Sequence, residues 1–251
     1  MIVEPGAFII IKDSRNSSIK SSGATLIDMA DAISAFDGTD WDFQPDRLAF
    51  VDGRWLIRQN ASAIILSGGK STRIGLDKSM LVYRDKPLIA HIAEQLVPMF
   101  QSAIISTNEP TKYEFLGLPM IPDLQPGLGP LMGIASALSC SGSELCFVMG
   151  CDIPTVNFRL VNRMLRQAEG YDIVMPRSAD GRFEPLFAIY RRSVCRPALE
   201  ILEAGGRRIV ELFDKVRVAF MDFHAGDWYK NINTMDDYLT ISKETQHTIN
   251  T

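Results

Sequence analysis

Ala61-Ser62-Ala63-Ile64-Ile65-Leu66-Ser67-Gly68-Gly69-Lys70-Ser71-Thr72-Arg73-Ile74-Gly75-Leu76-Asp77-Lys78 joins a short aliphatic run to a glycine-rich, cationic turn. The run Ala63–Leu66, bounded by turn-forming residues, suits a buried strand of a parallel sheet. Paired glycines let a backbone approach a ligand closely and turn its N–H groups toward an anion, and Arg73 and Lys78 supply positive charge. Counting excludes two familiar loops. A Walker A motif ending at Gly69-Lys70-Ser71 needs glycine at position 64, which is Ile64, and Gly68-Gly69 does not continue as G-x-G-x-x-G. Gly127-Leu128-Gly129-Pro130-Leu131-Met132-Gly133 misses that second spacing by one residue. Spacing alone leaves two readings, a phosphate-binding turn or merely a tight strand-to-helix connection.

Outward from this junction, short β-branched runs alternate with longer amphipathic stretches, the pattern of repeated βα units. Strands are expected at Ala63–Leu66, Ala103–Ser106, Met120–Ile121, Cys146–Met149, Asp172–Met175, Leu186–Tyr190 and Val216–Met221. Helices are expected at Pro87–Phe100, Pro130–Leu138 and Val194–Glu203, with a short one at Ile209–Phe213. The order predicts an α/β fold with a doubly wound, mostly parallel sheet, which takes ligands at the carboxyl ends of its strands. Residues 1–60 differ in pattern and hold 9 acidic against 6 basic side chains. Leu26, Met29, Ala30, Ile33 and Phe36 recur there at helical spacing, and Leu48–Val51, Asp52-Gly53 and Trp55–Ile57 suit a hairpin with a type I′ turn. We read 1–60 as a small α+β appendage of unknown role or a partner-docking module, and 61–251 as the main domain.

Composition supports this division. A chain of 251 residues is long enough for one full domain and a remainder. With 46% hydrophobic and 22% charged residues it is neither disordered nor a disulfide-stapled miniprotein. Lys and Arg number 26 against 30 Asp and Glu, a net charge of −4, which argues against nucleic-acid or anionic-membrane binding. Any anion site must be local. No apolar stretch approaches the roughly 20 residues of a membrane span. The run Ala7–Ile11 lacks the flank and length of a signal peptide, so a cytoplasmic protein is expected. Cys140, Cys146, Cys151 and Cys195 show no C-x-x-C spacing and read as small hydrophobes, and His91, His224 and His247 are too scattered for a histidine-built metal site.

The second chemical signal is Met149-Gly150-Cys151-Asp152-Ile153-Pro154, at the end of the most apolar strand. Magnesium is commonly held by one or two carboxylates plus substrate phosphates, so Asp152 facing a glycine-rich loop suffices. Its alternative is a turn cap ahead of Pro154. Together the two signals imply nucleoside triphosphate chemistry without a Walker scaffold.

At this point the sequence resembles the molybdenum cofactor guanylyltransferases, within a wider nucleotidyltransferase group of Rossmann-like α/β fold, over about residues 61–240. The family's Leu-Ala-Gly-Gly-x-Ser-x-Arg-Met-Gly-x-Asp-Lys loop is matched by Leu66–Lys78, with Ser67 for Ala and Ile74 for Met. Its Gly-Lys-Pro-Leu is matched by Asp85-Lys86-Pro87-Leu88, its Asp then Gly-Pro-Leu-x-Gly by Asp123 and Gly129–Gly133, and its Cys-Asp-x-Pro by Cys151–Pro154. Later segments also follow it: Asp180-Gly181-Arg182-Phe183-Glu184-Pro185, Gly206-Arg207-Arg208-Ile209-Val210 and Asn231-Ile232-Asn233-Thr234. Met235 stands where the family usually has proline, which should loosen a helix start there.

The resemblance implies transfer of GMP from GTP to the terminal phosphate of molybdopterin, with Mg²⁺ and release of pyrophosphate. Arg73, Lys78 and Asp152 would be catalytic, Asp152 holding the metal. Leu66, Ser67, Gly68, Gly69, Lys78, Asn108, Asp123 and Asp152 would bind the nucleotide, with Asp123 accepting guanine N1–H and N2–H₂. Arg207, Arg208, Asn231 and Asn233 would meet the acceptor or support the metal. Against these roles stand a solvated pair for Arg207 and Arg208 and a turn residue for Asn108. The alternatives are a cytidylyl or other small-phosphate transferase of the same fold, or an idle nucleotide-binding module docked to molybdoenzyme maturation proteins. The sequence leaves the oligomeric state open.

Overall fold

The computed structural model describes residues 9–12, 25–28, 48–51, 54–68, 77–178, 180–223, 231–232 and 234–241. The chain divides into two compact units, Met1–Gln59 and Asn60–Thr251. In the first, β1 (Ile9–Lys12) pairs in parallel with β2 (Thr25–Asp28), and β3 (Leu48–Val51) pairs antiparallel with β4 (Arg54–Ile57). The expected hairpin forms. The expected helix does not begin at Leu26, which lies in β2 opposite Ile10. Its neighbours Thr25 and Ile27 are β-branched, and ladder pairing outweighs the helical spacing. Met29, Ala30, Ile33 and Phe36 lie outside the described residues.

The second unit carries β5 (Gln59–Leu66), the two-residue strands β6 (Val82–Tyr83) and β7 (Lys86–Pro87), α1 (Leu88–Leu96), β8 (Phe100–Ser106) and β9 (Met120–Ile121). It continues with α2 (Pro130–Cys140), β10 (Leu145–Gly150), α3 (Phe158–Gln167), β11 (Ile173–Ser178), β12 (Phe187–Arg191), α4 (Cys195–Glu203) and β13 (Val218–Phe223). One seven-stranded sheet has the order β13-β11-β12-β10-β5-β8-β9. Within this sheet β10 is parallel to β5, β9 to β8 and β13 to β11, and β12 runs antiparallel to both its neighbours, β10 and β11. The order is built outward from β5 in one direction through β8 and β9, then resumes on its other side with β10. The chain therefore reverses its direction of travel between β5 and β10, which is where a doubly wound sheet opens a crevice at its carboxyl edge.

The alternation of β10 shows how the layers are filled. Cys146 and Val148 face a cluster with Leu131, Ile134 and Leu138 of α2 and Ala198 and Ile201 of α4. Phe147 points the other way, stacked on Phe100 at 5.7 Å and meeting the edge of Phe187 at 4.9 Å. The buried residues of α1 and α3 lie outside the first cluster, and these helices cover the second face. α1 stops short of the expected Phe100 because Pro98 has no N–H to continue the helical ladder. α3 had no sequence forecast. It buries only the narrow stripe Leu160, Val161 and Met164, exposes its arginines, and starts where Asn157 Oδ1 accepts the Leu160 N–H at 3.0 Å. Among the described residues no helix is long and apolar enough to cross a membrane.

Candidate active site at the carboxyl edge of the sheet

Register places the candidate residues on one edge. Leu66, the last residue of β5, lies opposite Gly150, the last of β10, so Ser67-Gly68 and Cys151-Asp152 leave the sheet side by side. On the other flank the Ser67 N–H bonds the Ser106 carbonyl at 2.9 Å, and Ser106 pairs with Ile121. That alignment sets Asn108 and Asp123 beside each other. Asn108 Nδ2 donates to Asp123 Oδ2 at 2.8 Å, and the Asp123 N–H donates to Asn108 Oδ1 at 2.9 Å. Asn108 is therefore engaged in orienting Asp123, whose Oδ1 stays turned toward Gly133. A Cβ on Gly133 would lie 3.0 Å from Ser106 Oγ and 3.4 Å from that oxygen, so glycine allows α2 to pack closely behind the pair.

Asp152 is half-buried, and burial raises its pKa above the ordinary carboxylate value; the positive charge of Lys78 and a backbone N–H pull it back. Lys78 opens a short 3-10 turn, Lys78–Met80, capped by Asp77, whose Oδ1 accepts the Ser79 N–H at 3.0 Å and the Ser79 hydroxyl at 2.7 Å. Beside Asp152, the half-buried Cys151 thiol is pushed up to about 11 by desolvation and by the neighbouring carboxylate, so it stays protonated near neutral pH. A Cβ at Gly150 would stand 2.7 Å from Asp152 Oδ1, so the carboxylate occupies space that only glycine leaves open.

The carboxyl-terminal segment closes on the backbone of the same residue. The Ile232 N–H donates to the Asp152 carbonyl at 2.8 Å, and Ile232 is fully buried. Its neighbour Asn231 carries a buried Oδ1 with no hydrogen-bond partner among the described residues. An orphaned amide oxygen next to the segment gripping Asp152 fits a hard cation, which takes oxygen donors. Among the described residues no group of three His, Cys, Asp or Glu side chains could hold a metal without such help. The helix start beyond, where Met235 stands, has a cap of its own. Thr234 and Asp237 cap each other, the Thr234 N–H to Asp237 Oδ2 at 2.7 Å and the Asp237 N–H to Thr234 Oγ1 at 3.2 Å, ahead of the helical residues 235–241.

A family model for the MobA-like NTP transferase domain matches residues 63–218. The chain belongs to the MobA-like NTP transferase family. A probable molybdenum cofactor guanylyltransferase of Pelotomaculum thermopropionicum is 35% identical over 161 residues, 64% of this chain and 78% of that protein. One from Clostridium perfringens is 34% identical over 194 residues, covering 73% of this chain and 96% of the relative. Among solved structures, the molybdopterin-guanine dinucleotide biosynthesis protein A of Archaeoglobus fulgidus superposes with a TM-score of 0.63 at 25% identity, over 74% of this chain and 99% of that one.

For a MobA-like NTP transferase the structure sorts the forecast residues unevenly. It brings together Leu66, Ser67, Gly68, Lys78, Asn108, Asp123, Asp152 and Asn231. Gly69, Arg73 and Asn233 lie outside the described residues. Arg207 and Arg208 are not joined to these by any described contact. Glu211 Oε1 accepts both their N–H groups, at 3.2 and 2.9 Å, and the Arg207 guanidinium donates to the Leu202 and Gly206 carbonyls, closing the end of α4. Residues with no motif also support the site. Gln95 of α1 donates to the Pro154 carbonyl at 2.8 Å and accepts the Val156 N–H at 3.1 Å, pinning the turn after Asp152. A glutamine on the helix face that carries Leu88, Ile92 and Leu96 was the available signal for it.

Proposed function

We propose that this chain is a molybdenum cofactor guanylyltransferase, moving GMP from GTP to the terminal phosphate of molybdopterin. The observation that carries the reading is the half-buried Asp152 carboxylate, held within the field of Lys78 at the β5/β10 crevice. The names of the relatives support the acceptor. In this reading an oxygen of the acceptor phosphate attacks the α-phosphorus of GTP, the bond to the bridging oxygen of the β-phosphate breaks, and pyrophosphate leaves. A phosphate nucleophile is already ionised near neutral pH, so no general base is needed, and catalysis rests on positioning and electrostatics.

Lys78, and Arg73 by its motif position, offset the triphosphate charge, and the backbone at Ser67 and Gly68, with Gly69 by its motif position, would lie along it. Asp123, oriented by Asn108, accepts the guanine N1–H and N2–H₂ donors. Asp152, with Asn231 and the motif partner Asn233, would hold Mg²⁺, which supplies charge neutralisation at the phosphates. Arg208, exposed beside α4, is the stronger of the two arginines for the acceptor phosphate, because the Arg207 guanidinium is occupied. The test is label transfer. With purified protein, Mg²⁺ and molybdopterin, label from α-phosphate-labelled GTP should enter the pterin and label from the γ-phosphate should appear in pyrophosphate. Hydrolysis of GTP without pterin labelling would sink the acceptor.

A further inference from the structure

One chain of polar groups beside the site is centred on a tyrosine that belongs to no motif. Tyr113 is 2% exposed, yet its hydroxyl touches two serines from opposite ends of the phosphate-side segment. Ser67 Oγ, at the end of β5, donates to Tyr113 Oη at 2.7 Å, and Ser79 Oγ, in the turn that Lys78 opens, lies 2.8 Å from the same oxygen. Proton counting fixes the direction. Ser79 spends its single hydroxyl proton on Asp77 Oδ1, so the Tyr113 proton goes to Ser79, and the Tyr113 lone pair receives Ser67. Lys112 ends the chain through an ion pair with Asp77 Oδ2, its ammonium also 3.3 Å from Glu109 and 5.2 Å from the centre of the Tyr113 ring. Each proton is used once, so the links polarise one another in a common direction.

Both residues sit in the 3-10 segment Pro110–Leu116, which connects β8 to β9. Asn108 precedes that connection and Asp123 follows it. The segment facing the proposed base pocket thus reaches across to the turn carrying Lys78. We propose that Tyr113, backed by the Lys112–Asp77 pair, is a positioning residue for Lys78: its hydroxyl ties the Lys78 turn to the end of β5 and so fixes the ammonium against the triphosphate. The assignment rests on the nucleotidyl-transfer reading above. Packing alone gives no reason for tyrosine here, since phenylalanine would fill the same volume.

The test is a double-mutant cycle on the full chain, reading the equilibrium affinity for Mg²⁺·GTP alongside the unfolding midpoint. Tyr113→Phe, and independently Ser79→Ala, should each weaken binding about tenfold, the size of one lost hydrogen bond to an engaged partner. In a Lys78→Ala background, Tyr113→Phe should change affinity by less than about twofold, because the group it positions is gone. A purely structural tyrosine would impose the same fold-loss in both backgrounds, and that result overturns the proposal, as does undiminished affinity in Tyr113→Phe. Should Tyr113→Phe fail to fold, Ser79→Ala carries the same comparison. Failure of the underlying reading appears in the wild type instead, as absent GTP binding, which overturns both.

Discussion

Gly150→Ala is the sharpest single-atom perturbation available. The added Cβ would lie 2.7 Å from Asp152 Oδ1, against 3.7 Å from Asp152 Cγ and from Leu186 Cβ. Ordinary carbon contacts fall at about 3.5–4.0 Å, so only the one carboxylate oxygen obstructs it, and that oxygen must retreat by roughly 0.8 Å. Gly150 does not have a positive φ, so alanine meets no backbone strain. A carboxylate can swing aside, which places the stability loss at the low end of overpacking, about 1 kcal/mol. For a unit of this size that is a fall of roughly 2–4 °C in the unfolding midpoint. Activity should suffer far more, since a displacement near 1 Å in a positioned group lowers turnover by about 10²-fold. The assay pairs pyrophosphate release with thermal unfolding, in wild-type and Asp152→Ala backgrounds. In the second background the obstructing oxygen is absent, and Gly150→Ala should no longer lower the midpoint. Wild-type turnover together with an unchanged midpoint would refute the placement of Asp152.

Asp152→Asn should abolish metal-dependent turnover yet raise the unfolding midpoint of the metal-free protein at neutral pH. The folded-state pKa is raised by burial, so the stability linked to this group is present at low pH and lost as pH rises through that pKa. By the same sign, Mg²⁺-dependent GTP binding should weaken on acidification starting above the ordinary carboxylate range, and a binding profile flat down to pH 4 would contradict it. Asp123→Asn should reduce the preference for GTP over ATP and ITP by about 10- to 100-fold, the scale of hydrogen bonds to a charged group, and Asn108→Ala should reproduce part of that loss through the released carboxylate; competition binding with the three nucleotides decides it. Asp85→Gly should stabilise the protein by roughly 1 kcal/mol in chemical denaturation, because Asp85 holds φ +66° in the two-residue turn between β6 and β7, a left-handed conformation that favours glycine.

Sheet and site were legible where local chemistry and long-range pairing agree. Strands such as Met120–Ile121 and Cys146–Met149 are short apolar runs between turn formers, and the structure keeps them, adding a residue at each end of the latter. Leu26 failed because the same apolar spacing serves a helix or a ladder, and only a partner strand at Ile9–Lys12 chooses between them. Asp152 was readable from its motif. Its dependence on Gly150 and Gln95 was not, because a Cβ clash and a side chain gripping a turn 59 residues onward exist only in three dimensions. Tyr113 is the extreme case, an aromatic in a connection without regular periodicity whose partners are 46 and 34 residues away. Asp85, where the resembled motif has glycine, shows the converse: the motif position encoded a backbone angle, and aspartate meets it with a short polar side chain. Asn108, forecast to meet the nucleotide, has its amide paired with Asp123 in the structure.

The measurement that bears most directly on the central claim is pyrophosphate release by the purified protein with Mg²⁺ and molybdopterin, with GTP, CTP and ATP run side by side. The account predicts release with GTP alone, abolished in Asp152→Asn. Release with CTP in preference to GTP would contradict the role given to Asp123, and no release with any of the three would contradict guanylyl transfer itself.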